Sequence, residues 1–315
     1  MNDLWAITAY FNPVGYRRRR ENYGLFRKHL EVPLLAVELG YGSTFELDEE
    51  DADIVIRIPG QDVMWQKERL LNLAVEALPP GCTKVAWLDS DLIFQSDDWH
   101  RRTEDLLDDC ALVQPFGRVF RTEAGWRPGD AMTPDVDAVH AVAHQIESGV
   151  PVETCLTTRG EASGTALGMG WAARRELLAR RGMYDANIIG DGDCVLLHAA
   201  FGQLDDAVSR QKMNRRREEH FRAWAEPFHD DVRGSVGYVP GDVAHLWHGS
   251  RQDRRYDERV AGFGAFDFDP ADDIADDDNG AWRWNSPKPA MHDYVRDYFS
   301  ARREDGASIK ARLQA

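Results

Sequence analysis

Six pairs of aspartates spaced one residue apart punctuate the chain, at 51/53, 89/91, 135/137, 191/193, 267/269 and 276/278. Two carboxylates forced together repel unless a proton or a cation intervenes. A hard divalent cation answers that charge: it takes one or two carboxylates and completes its shell with phosphate oxygens and water. In a chain this rich in aspartate the spacing alone selects nothing, so context must. Only Asp89 and Asp91 end an apolar run, in "VAWLDSDLIF". On a strand, residues two apart share a face, so both carboxylates are expected to point the same way at the carboxyl edge of a sheet. That is the edge where open α/β sheets bind ligands. A helix cap or a solvated loop is the competing reading.

The elements that would position such a pair are legible on either side of it. Leu4–Tyr10, Pro33–Leu39, Asp53–Ile58 and "KVAWLDSD" read as strands, and "ALVQPF" as another. Between them "RRENYGLFRKHL" and residues 63 to 78 have helical periodicity. On the second helix Met64, Leu71, Val75 and Leu78 form one stripe, which Lys67 and Glu68 interrupt. The two charges either snorkel to the rim or border a cleft. Alternating strands and helices imply an α/β class with a mixed, mostly parallel sheet flanked by helices. Further on, Val136–Glu147 is expected as a helix, "GTALGMGWAARRELL" as a glycine-rich loop running into a helix, and "GSVGYVPGDVAHLWHGS" as two short strands. A final helix is expected around Met291–Arg303. "DFDPADDIADDD" lacks the glycine and glutamate of a calcium loop and reads as a solvated acidic loop.

At 315 residues, 43% hydrophobic and 10% aromatic, the chain can bury a substantial core. A net charge of −16 disfavours a general grip on nucleic acid. Cys82, Cys110, Cys155 and Cys194 are far apart, with no C-x-x-C pair, which fits reduced thiols. With no basic leader and no long apolar run, the expectation is a cytoplasmic protein without a membrane span.

The ordered set "YFNP", "WQKERLLNLAVEALP", "KVAWLDSDLIF", "GTALGMGWAARRELL", "IIGDGD" and "AHLWHGSRQDRRY" spans about residues 5 to 260. It resembles glycosyltransferases of the GT-A fold, close to family 2-like and galactosyltransferase-like members of bacterial and phage type. The resemblance implies a Rossmann-like nucleotide-sugar-binding fold. Residues 1–250 would be the catalytic domain, 1–115 its nucleotide-sugar half and 116–250 its acceptor half, with 251–315 a charged extension packed on the core. It also implies that Asp89 and Asp91 hold a divalent cation, Mn²⁺ in preference to Mg²⁺, against the diphosphate of a nucleotide-sugar. Tyr10, Asn12, Arg19, Lys67, Glu68, Ser90, Arg251 and Arg255 would border that donor. For Arg17–Arg20 as a group, a solvated helix start is favoured over a specific contact.

Members of this family often add a late histidine to the metal, and "HLWHG" offers His245 and His248. Residues three apart on a strand face opposite sides. His248, which precedes Gly249, is therefore the expected ligand and His245 the alternative. Asp193, with Asp191 second, falls at the acidic catalytic position, where a carboxylate would deprotonate the acceptor hydroxyl. Helix capping is the competing role, and a helix N-terminus would lower the carboxylate's basicity unless burial restored it. Gly168 and Gly170 would let a sugar or acceptor approach the backbone, with Trp171 as a stacking platform; an aromatic at a helix start is more often part of the core, which is the competing role. The expected activity is metal-dependent transfer of a sugar to an acceptor hydroxyl, on a glycan or, as second choice, a modified nucleobase. Inverting and retaining courses both stay open. A sugar nucleotidyltransferase and a metal-dependent carbohydrate-binding protein are the alternatives.

Overall fold

The computed structural model describes residues 3–42, 44–132, 138–157 and 165–306. The Asp135/Asp137 pair lies outside them. Leu4–Phe11, Leu34–Tyr41 and Lys84–Leu88 form the middle of a seven-stranded sheet, and their near-continuous apolar runs suit strands covered on both faces. The spatial order is Val236–Tyr238, Leu112–Gln114, Gly170–Arg174, Lys84–Leu88, Leu4–Phe11, Leu34–Tyr41, Ile54–Gly60. All neighbours are parallel except those of Gly170–Arg174, which runs antiparallel to both strands beside it. The fold is thus a mixed, mostly parallel α/β sheet flanked by helices.

Strand alternation divides the core in two. Ile7 and Phe11 join Leu71 and Val75 of the helix Lys67–Ala77 on one face, while Leu4, Ala6 and Tyr10 join Tyr23 and Phe26 of the helix Arg17–Lys28 on the other.

A second sheet lies beside the first, in the order Leu92–Phe94, Asp242–His245, Arg118–Arg121, Ala138–Ala141, Thr165–Ala166. Leu88 ends a strand of the large sheet and Leu92 opens one of the small sheet. Asp89 and Asp91 therefore occupy the turn that crosses from one sheet to the other, not one face of a strand. That separation sends the two carboxylates to different partners.

Three other expectations are corrected. Among the described residues of Val136–Glu147, only Val142–Glu147 is helical; Ala138–Ala141 is a strand whose alternate residues Val139 and Ala141 are buried, a period of two. In "GTALGMGWAARRELL", two strands precede the helix Arg175–Arg181, because Gly170–Arg174 pairs with Lys84–Leu88 and cannot begin a helix there. The acidic stretch is not a solvated loop. Asp269 caps the short helix Pro270–Asp273, Asp273 accepts from Asp269 N and Lys288 Nζ, and Asp277 accepts from Asn279 N and Ala281 N. Asp269, Asp273 and Asp277 are all buried, each with at least one carboxylate oxygen accepting from a backbone N–H.

The helix Pro289–Ala301 returns to the start of the chain, where Tyr16 Oη donates to the carbonyls of Phe299 and Ser300. The four cysteines are free thiols. Among the described residues no helix is long and apolar enough to cross a membrane.

Candidate functional site

The turn at Asp89–Asp91 meets the end of the strand Asp242–His245, whose antiparallel pairing sets His245 opposite Leu92. His245 Nε2 lies 3.5 Å from Asp91 Oδ1, and His248 Nε2 lies 3.4 Å from Asp91 Oδ2. The two Nε2 atoms are 3.1 Å apart, with the rings at 87°. The alternation argument that set the two histidines on opposite sides fails because the strand stops at His245; Leu246–His248 leave the sheet and fold the second ring back onto the first.

Asp91, His245 and His248 each offer a donor atom within 4.8 Å of the others, the one such group among the described residues. Asp91 Oδ1 is buried without a hydrogen-bond partner, an orphaned acceptor of the kind a cation satisfies. Burial, then the nearby Asp89, pushes the Asp91 carboxyl up to about 7. Burial with the Arg121 and Arg254 charges pushes His245 down to about 3, and burial with Arg254 and His245 holds His248 well below its usual value. Both imidazoles are neutral, as ligands must be. One carboxylate and two imidazoles fit a divalent cation.

Asp89 points elsewhere. Its Oδ1 is 2.7 Å from Lys67 Nζ, and the same ammonium is 3.1 Å from Asp193 Oδ2. Burial opposes the Lys67 charge, but Asp193 and Asp89 outweigh it and hold the ammonium above its ordinary value. Asp193 is raised, by burial first, with Lys67 opposing. Behind them Glu68 is 6% exposed, and burial lifts it to about 8 against the pull of Lys67.

Lys67 and Asp89 stand between two cavities. One, of about 100 Å³, is walled by Tyr10, Arg19, Ser90, Asp91, Arg302 and Glu304 among others. The second, of about 210 Å³, is walled by Gly168, Met169, Asp191, Asp193, Arg251 and Tyr256 among others. Trp65, Lys67, Asp89, His248, Arg254 and Arg302 border both. A third, of about 240 Å³, opens beyond His245 along Arg121, Trp247, Gly249 and Arg251.

Other expected residues lie apart. Asn12 staples the turn after the first strand, bonding Tyr16 through both ends of its amide and donating to Glu46. Arg255 is in the left-handed region at φ 45° and caps the helix Tyr256–Phe263; it lines none of these cavities. Gly170 is packed against Leu88 within the sheet. Trp171 is fully buried, with Nε1 donating to the Leu167 carbonyl, so it offers no face to a sugar. Asp191 lines the second cavity at φ 84° and accepts from Gln211.

Trp65, Arg302 and Glu304 line the smaller cavity, although no local pattern marks them as site residues. Glu304 is fully buried between Arg302 Nε at 2.5 Å and Arg19 Nε at 2.7 Å. Against burial, Arg19, Arg302 and Arg254 hold its carboxyl well below the usual range.

No family model and no curated protein matches the chain. Among solved structures, Staphylococcus aureus TarS shares 11% identity across 61% of this chain and 32% of its own, with a TM-score of 0.33, so the chain spans about a third of that protein. A mycobacterial protein shares 15% across 84% and 73%, with a TM-score of 0.41. Drosophila beta1,4-galactosyltransferase 7, in a complex with manganese, UDP-Gal and xylobiose, shares 12% across 81% and 74%, with a TM-score of 0.34. Similarities this distant carry no assignment of function to the chain.

Proposed function

We propose that the chain is a glycosyltransferase that moves a sugar from a nucleoside-diphosphate sugar to an acceptor hydroxyl. The observation that carries the reading is the position of Lys67, whose ammonium joins Asp89 and Asp193 in the partition between two cavities. One cavity takes the donor diphosphate and the other takes sugar and acceptor. Residues 1–115 then serve the donor and 116–250 the acceptor, while 251–315 lends Arg302 and Glu304 to the donor wall.

Arg19, Lys67, Arg254 and Arg302 gather cationic donors at the smaller cavity of a chain with net charge −16, so the attraction for phosphate oxygens is local. A divalent cation held by Asp91, His245 and His248 would supply Lewis-acid stabilisation to the departing diphosphate. Asp193 is the base. Lys67 favours its ionised form, burial restores its proton affinity, and it takes the hydroxyl proton as the acceptor oxygen bonds the anomeric carbon and the bond to diphosphate breaks. Asp191 borders the same cavity and is the second acidic candidate. Asp89, fixed by Lys67, faces the donor.

A panel of nucleotide-sugars with Mn²⁺ tests this. The expected result is thermal stabilisation by one donor and slow release of nucleoside diphosphate. Asp193→Asn should keep donor binding and lose turnover. Absence of binding by any donor with Mn²⁺ present overturns the reading. Pyrophosphate release would instead identify a nucleotidyltransferase, and sugar binding without release of either product a carbohydrate-binding protein.

A further inference from the structure

Arg254 stands in the wall common to all three cavities and is 8% exposed. Its Nη2 donates to His248 Nδ1 at 2.6 Å and to the His248 carbonyl at 2.8 Å, while its Nε is buried without a partner. Arg302 repels its charge more strongly than Glu304 attracts it.

A guanidinium has no lone pair to give, so His248 Nδ1 must be the acceptor in this bond. The neutral ring then carries its proton on Nε2, and that N–H is directed at His245 Nε2, 3.1 Å away, and Asp91 Oδ2, 3.4 Å away. A proton thus occupies the direction in which His248 would have to present a lone pair to a cation. Histidines that ligate metals ordinarily show the reverse arrangement, donating their remote N–H outward so that the near nitrogen is free.

We propose that Arg254 is a positioning residue for the cation site. Bonded to Nδ1, it holds His248 in the Nε2–H tautomer. An oxyanion in the adjoining cavity that draws the guanidinium away lets Nδ1 take the proton and Nε2 coordinate. The exchange moves one proton from Nε2 to Nδ1 of the same ring, with no change in net charge. Asp91 and His245 supply two of the donors, and the third arrives with the anion. Cation and anion affinities are therefore reciprocally coupled. The inference rests on reading Asp91, His245 and His248 as a cation site.

Nitrogen NMR of the full chain, labelled at histidine and free of metal, reads the tautomer directly, with His248 assigned by its loss in His248→Gln. The Nε2–H form is expected, converting to Nδ1–H when inorganic pyrophosphate is added. An Nδ1–H form from the outset, or no response to pyrophosphate, overturns the proposal. Separately, Mn²⁺ affinity is measured by electron paramagnetic resonance. Arg254→Met should tighten it by about tenfold or more, and the same substitution in a His248→Ala background should give only the smaller gain due to lost charge. Equal gains in the two backgrounds overturn the tautomer control and leave the cation site standing. No Mn²⁺ binding by Arg254→Met, in which all three donors are free, overturns the cation site itself.

Discussion

Gly192 lies directly over Glu68: a Cβ built on the glycine would fall 2.0 Å from Glu68 Oε1 and 2.3 Å from its Cδ. The glycine opens the helix Gly192–Ala200, so this contact sets how closely Asp193 can approach Lys67. Gly192→Ala should cost about 1–3 kcal/mol through overpacking, measured by urea denaturation. In a Glu68→Ala background the same substitution should cost little, and an undiminished cost there would show that the clash is not with Glu68.

The buried Glu68 also gives stability a pH dependence of a defined sign. Its carboxyl is lifted from 4.5 to about 8, so between those values the folded state binds a proton that the unfolded state has released. The Glu68 contribution must therefore fall as pH rises through that window, by at most about 1.4 kcal/mol per pH unit. Glu68→Gln should flatten this part of the stability profile, and identical profiles for the two proteins would refute the assignment.

Glu304 works in the opposite direction. Held well below its usual range by Arg19 and Arg302, it contributes stability that is complete above pH 4.5 and is lost progressively as the solution becomes more acid. Glu304→Gln leaves two guanidiniums without their carboxylate and should cost about 3–5 kcal/mol near neutrality. Chemical denaturation at pH 7 and at the acid end measures both effects, and the variant should lose less than wild type on acidification.

If Asp91 and the two histidines hold a divalent cation, Mn²⁺ should raise the melting temperature, the gain approaching about 2.7 kcal/mol at a hundred times the dissociation constant. Asp91→Asn should raise that constant on the order of tenfold or more. Calorimetric titration checks the affinity, and a variant that binds as tightly as wild type would exclude Asp91 as a ligand.

Trp171 is a core residue whose loss should be felt in folding. Trp171→Ala should cost about 3–5 kcal/mol, whereas Trp171→Phe should preserve donor affinity, measured by thermal shift with the nucleotide-sugar. A large loss of sugar affinity in the folded phenylalanine variant would contradict its buried position.

The middle of the large sheet was legible because strands covered on both faces need near-continuous apolar runs, and Leu34–Tyr41 and Lys84–Leu88 have them. Lys67 and Glu68 were conspicuous as charges on an apolar stripe, and both are now placed beside Asp193. Gly170–Arg174 was not legible as a strand, since its glycine and alanines carry little strand preference; pairing with strands on both sides decides its conformation. The contact of His245 with His248 escaped because it depends on where a strand ends, not on its period. Arg302 and Glu304 carry no local signal at all. Their place in the cavity wall exists only once Glu304 meets Arg19, 285 positions earlier in the chain.

That long reach has a temporal consequence. A chain emerging from the ribosome has made every strand of both main sheets by His245, and Asp89, Asp91 and Asp193 with them. Domains fold from the N-terminal side during synthesis, so the sheets can take shape while the smaller cavity still lacks the arginine and glutamate that finish its wall. That cavity is complete only after residue 304 has been added and has found Arg19. Birth of the fold and birth of the site are separate events on the ribosome.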